Sequence, residues 1–120
     1  MLNKEEIDKA IGAHGMWKTR LKQAIESGKS DVSVETIRQD NQCNFGKWLY
    51  GGSLSAADKS SVHYKTVRDL HAEFHRCAAR VADLALTGMK GDADKMLALD
   101  GDFTTVSARL TAAMMEWKKV

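Results

Sequence analysis

With 120 residues, 43% of them hydrophobic and 28% charged, the chain is sized for one domain, residues 1–120, with a core of its own. A net charge of +2 with both signs interspersed argues against the basic face of a nucleic-acid module, and no apolar run reaches the roughly 18 residues that a membrane-spanning helix needs. Proline is absent, so nothing interrupts long helices from within.

The first ten residues, MLNKEEIDKA, hold three acids, which is not the pattern of a secretory signal. Asn3 and Glu6 have the spacing of a capping box. From there Ile7, Ile11, His14, Trp17, Leu21 and Ile25 recur at intervals of three and four, which predicts one helix ending near Gly28. A turn of helix is expected at Val34–Arg38, and a short helix from about Asn41 to the Gly51-Gly52 pair. The polar stretch SLSAADKSS reads as a linker to a long helix over about 60–87, striped by Val67, Leu70, His71, Phe74, Ala78, Val81 and Ala85. After Gly88 and Gly91, the last helix carries Met96, Leu99, Phe103, Val106, Leu110, Ala113 and Trp117. Gly101 inside it costs about 1 kcal/mol relative to alanine and marks a place for a bend. With no useful strand alternation, the expected fold is an all-α, four-helix-bundle-like domain of three long helices and one short one.

The chain has four histidines, His14, His63, His71 and His75. The last two form H-A-E-F-H, and positions i and i+4 share a helix face, so both imidazoles can reach one ion. The pair is equally compatible with two half-exposed polar residues. His14 lies on the apolar stripe of the first helix, where a single histidine is more often a core residue with a hydrogen-bond partner. Cys43, at the head of the short helix, offers a fourth donor, and three imidazoles with one thiolate suit tetrahedral Zn²⁺. The gaps, 28 residues from His14 to Cys43 and 27 from Cys43 to His71, allow three helices to converge on one ion inside a bundle.

Other chemistries fit less well. A zincin needs H-E-x-x-H, whereas the acid here is Glu73, two positions after His71 and on the far side of the helix. Neither the Glu-x-x-His motif of a di-iron bundle nor a C-x-x-C-H haem motif occurs. His63, roughly 12 Å along a continuous helix from His71, reads as a surface or loop histidine. Cys77 reads as a small buried apolar residue. Trp17, Phe45 and Trp48 read as packing around the site, and Gly46 as a point of close helix approach.

The segments His14-Gly15-Met16-Trp17, Cys43-Asn44-Phe45-Gly46-Lys47-Trp48 and His71-Ala72-Glu73-Phe74-His75 resemble, in order and separation, the CZB family of chemoreceptor zinc-binding domains, over about residues 7–117. The resemblance implies an interior zinc site with His14, Cys43, His71 and His75 as ligands, and no departure occurs at those positions. Domains of this family accompany bacterial chemoreceptors and diguanylate cyclases, and are regarded as sensors of zinc, or of oxidants through the zinc-bound cysteine. Some members act as dimers.

Four protein ligands close the coordination shell, so the expected role is regulatory or structural, and no enzyme is expected. Zinc keeps a cysteine deprotonated, which makes Cys43 the candidate redox-responsive ligand, for example toward hypochlorous acid. Two cysteines without a secretory signal point to a reducing, cytoplasmic setting. The expected partners are a chemoreceptor or another signalling protein and a second copy of the chain, with no nucleic acid and no membrane. The alternative is a structural or protein-interaction bundle in which zinc only staples helices. A stand-alone protein and a segment of a longer receptor are both compatible with this sequence.

Overall fold

The computed structural model describes residues 3–30 and 32–120, and every regular element among them is a helix. The first expected helix is two, α1 (Lys4–Gly15) and α2 (Trp17–Ser27). Asn3 caps α1 by accepting the Glu5 N–H at 3.1 Å, while the Glu6 carboxylate lies 3.7 Å from Lys9. At Met16 the N–H reaches back three residues, to the Ala13 carbonyl at 3.3 Å. The Arg20 N–H then bonds Met16 at 3.2 Å and regular helix resumes. One tightened turn therefore divides the stripe, next to Gly15, where helix propensity is low.

The turn expected at Val34–Arg38 is α3, capped by Ser33. The short helix begins later than expected: α4 spans Asn44–Tyr50, with Cys43 as its N-cap. The presumed linker contains α5 (Ala56–Ser60), opened by a capping box between Ser55 and Asp58. Next comes α6 (Val62–Leu86), whose 25 residues give a rod about 37 Å long, most of the molecule's 45 Å length.

The last helix is also two, α7 (Lys90–Leu97) and α8 (Asp102–Lys118). A Cβ on Gly101 would lie 2.3 Å from the carbonyls of Lys95 and Met96, so the chain turns back against the end of α7 where only glycine fits. The expectation that Leu99 belongs to the apolar seam is overturned. It stands in the break, 92% exposed.

The central helix is α6, which packs most extensively on α8 and also on α3, α2 and α7, while α1 bridges α8 and α4. Of its expected stripe, Val67, His71, Phe74, Ala78, Val81 and Ala85 are buried and Leu70 is half-buried. Opposite lie Ile7, Ala10, His14 and Leu21 of α1 and α2, with Phe103, Val106, Leu110, Met114 and Trp117 of α8. Each large apolar side chain taken out of water contributes about 1.5–3 kcal/mol, and the buried polar side chains among the described residues are the imidazoles of His14, His71 and His75. None of the described helices is long and apolar enough to cross a membrane.

Candidate metal centre

Three parts of the chain deliver the four donors. His14 closes α1, His71 and His75 lie one turn apart in the middle of α6, and Cys43 sits in the N-cap of α4. Their donor atoms all fall within 4.8 Å of one another. The Nε2 atoms of His71 and His75 are 3.1 Å apart, and Cys43 Sγ lies 3.4 Å from the first and 3.5 Å from the second. Tetrahedral Zn²⁺, with bonds of about 2.0 Å to nitrogen and 2.3 Å to sulfur, needs edges of about 3.3 Å between nitrogens and 3.5 Å between nitrogen and sulfur. The spacing of His71, His75 and Cys43 therefore fits zinc, and His14, within 4.8 Å of them, completes a donor set of the right chemistry.

Backbone carbonyls preset two of the imidazoles. His14 Nδ1 is 2.7 Å from the Ala10 carbonyl, and His75 Nδ1 is 2.8 Å from the Ile37 carbonyl. A carbonyl only accepts, so both rings carry their proton on Nδ1 and turn the Nε2 lone pair inward. This outer anchoring is usual for zinc-binding histidines. His71 differs. Its Nδ1 is buried with no hydrogen-bond partner among the described residues, and the ring is held by edge contacts with Phe45 at 5.1 Å and His14 at 4.9 Å between centroids.

Burial keeps the imidazoles neutral, the form that ligates. It pushes His14 down to about 4, against the pull of the Ala10 carbonyl and with some help from His75. It pushes His71 down to about 2, with His75 and His14 adding to the fall. His75 is lowered by burial too, partly offset by the Ile37 carbonyl and the Asp40 charge. The Cys43 thiol is pushed up by burial more than the Gly46 and Phe45 amides pull it down. Two inward lone pairs, a third imidazole with no outer anchor and a reluctant thiol make a poor cluster by themselves. A divalent cation reverses the balance by stabilising the thiolate and drawing on every lone pair.

The cysteine is placed by local sequence. Its Sγ accepts the Gly46 N–H at 3.4 Å, the usual N-cap bond with sulfur in place of oxygen. A Cβ on Gly46 would lie 1.7 Å from the Asp40 carbonyl oxygen, so the first turn of α4 can rest on that backbone only because residue 46 is glycine. This gives the expected close approach its partner. Around the centre, Phe45 packs on His14 and His71, and Phe74 packs edge-on to His14 at 4.9 Å. Trp17 lies 6.5 Å from His75, and Trp48 stands one layer out, stacked on Phe45 and touching Trp117.

All four residues singled out as ligands thus come together. His63, on the second residue of α6, and Cys77 are both half-buried and outside the cluster. The anchoring carbonyls had no signature in side-chain chemistry. That of Ala10, four residues before His14, follows from helix geometry, whereas that of Ile37 lies in a segment too short for periodicity to place. An open groove whose walls include Ala13, His14, Trp17, Gln42, Cys43 and Asn44 borders the cluster.

The family model of the chemoreceptor zinc-binding domain matches residues 14–82, a stretch that opens on His14 and contains all four clustered side chains. No curated protein and no solved structure matches the sequence. The match covers more than half of the chain, which therefore belongs to the chemoreceptor zinc-binding domain family, a family of regulatory domains with zinc as its metal.

Proposed function

We propose that this family member is a cytoplasmic sensory domain that holds one Zn²⁺ through His14, Cys43, His71 and His75, and that Cys43 is the ligand that responds to oxidants. The observation that carries the reading is the convergence of four donor atoms within 4.8 Å of one another, three of them at 3.1–3.5 Å, among the packed helices. Four protein ligands leave no position for a substrate, so the centre is regulatory and the domain is not an enzyme. Bound zinc holds the sulfur as thiolate, and the groove at Cys43 gives small oxidants a path to it. With hypochlorous acid, the sulfur gives up an electron pair, takes the oxygen as a sulfenic acid and releases chloride, which weakens the fourth bond. The output partner is a chemoreceptor or another signalling protein. Metal analysis of the purified protein should find about one zinc per chain. Protein with intact ligands that takes up no zinc would overturn the reading.

A second reading has an observation of its own. One ion at this point ties α1, α4 and α6 together, and His75 adds α3 through Ile37, so zinc could serve only as a staple. Zinc removal separates the two. A sensor changes its helix arrangement or partner binding while remaining folded, whereas a stapled bundle simply melts.

A further inference from the structure

The segment that carries Cys43 has a second attachment. Cys43, Gly46 and Tyr50 stand at positions i, i+3 and i+7 and share one face of α4. Residue 40 runs along that face. Its backbone carbonyl fills the place of the absent Gly46 side chain, and its carboxylate accepts a hydrogen bond from the Tyr50 hydroxyl at the other end of the helix. The same carbonyl lies 4.0 Å from Cys43 Sγ. Among the described residues, Asp40 is also the acid whose charge acts on both Cys43 and His75.

We propose that Tyr50 and Asp40 are positioning residues for the thiolate: their bond clamps the backbone of residues 40–43 onto α4 and sets how readily Cys43 leaves the zinc. The geometry gives the clamp its leverage. Cys43 belongs to no helix interior, so its sulfur is fixed by the N-cap bond to Gly46 and by the path of the chain arriving from Asp40. The Tyr50–Asp40 bond fixes that path at the far end of the same helix face. Tyr50 is 44% exposed, so the bond can be removed without opening the core. The Asp40 carboxylate also supplies negative charge beside a centre whose zinc, three neutral imidazoles and one thiolate sum to a positive charge. This proposal rests on the reading of Cys43 as a zinc ligand.

The test uses Tyr50→Phe, which keeps the ring and loses the hydroxyl, in the zinc-loaded full chain. Outer partners of metal ligands typically change metal affinity by about 10–100-fold, so zinc transfer to an excess chelator should quicken by about tenfold or more. Asp40→Asn should quicken it in the same direction. In a Cys43→Ala background, Tyr50→Phe should change zinc transfer no further, because no sulfur is left to position. In the cobalt-substituted protein, the thiolate-to-metal absorption of Tyr50→Phe should weaken while thermal stability stays near wild type. An unchanged transfer rate in Tyr50→Phe overturns the proposal, as does an equal acceleration in the Cys43→Ala background. If the wild-type chain takes up no metal, the zinc site itself fails, an outcome distinct from either of these.

Discussion

The backbone N–H of Gly46 donates to the sulfur of Cys43 at 3.4 Å, while the Asp40 carbonyl occupies the space where Gly46 would carry a Cβ. One glycine thus serves the ligand twice, by donating to it and by letting the preceding chain pass. Gly46→Ala forces that backbone apart. We expect a loss of about 3 kcal/mol, the upper end of the range for overpacking, because a carbonyl cannot move aside as a side-chain tip can. Zinc content should fall with it. Chemical denaturation and metal analysis on the same preparation check both.

Metal-stripped protein should lose stability on acidification. His14 and His71 sit well below the ordinary 6.5 when folded, at about 4 and about 2, so between those values and 6.5 the unfolded chain binds more protons. Stability therefore rises with pH through this window and falls as pH drops from about 6.5 toward 4. His14 alone accounts for roughly 3 kcal/mol, and His71 extends the loss to lower pH. Thermal melts across pH 4–7 in the presence of a chelator read this directly. A flat profile would mean that the imidazoles are not buried as neutral groups.

Hypochlorous acid should release zinc from the wild-type protein with formation of a sulfenic acid at Cys43. Cys77→Ser should behave as wild type, because that residue lies outside the cluster. A colorimetric zinc assay during titration distinguishes the cases, and equal release from Cys43→Ala would remove the cysteine as trigger.

Beside α8 runs a mostly apolar groove lined by Gly15, Phe103, Ala108, Ala112 and Met115, with the hydroxyls of Thr104, Ser107 and Thr111 and with Lys18 in its wall. Met16 and Met115 are 59% and 53% exposed. Apolar surface of this kind marks an interaction site, and we propose a second copy of the chain as its occupant. The native protein should run as a dimer in light scattering, and Met115→Lys should shift it to monomer with zinc retained. A wild-type monomer at high concentration removes this assignment.

How far the sequence could be read is clearest at Leu99. It continues the alternation from Met96 to Phe103, and those two flanking residues are indeed buried. Residues 98–101 leave the helix, yet the seven-residue step keeps Met96 and Phe103 on the same inner side, so periodicity cannot register the break. Leu99→Ser should change stability by no more than about 0.5 kcal/mol, as for other surface positions, whereas Leu110→Ala should cost about 2–5 kcal/mol. The four clustered side chains were legible for the opposite reason: donor chemistry is written in the residue type, and H-A-E-F-H fixes its own geometry on a helix. The tie from Tyr50 to Asp40 left no such trace, because it joins a helix end to irregular chain and neither residue type is diagnostic.

The unpartnered Nδ1 of His71 bears on how tightly the centre can hold its ion. With zinc on Nε2, that ring must keep its proton on Nδ1, where none of the described residues offers an acceptor. Without zinc, the proton can move to Nε2 and be shared with His75 or Cys43, 3.1 and 3.4 Å away. Filling the site thus strands a buried donor, at about 1–3 kcal/mol, and weakens affinity by roughly tenfold or more relative to a centre with all three rings anchored. An acceptor supplied beside that Nδ1 would therefore tighten the centre, so the bare ring is a place in this fold where zinc affinity can be tuned without touching a ligand.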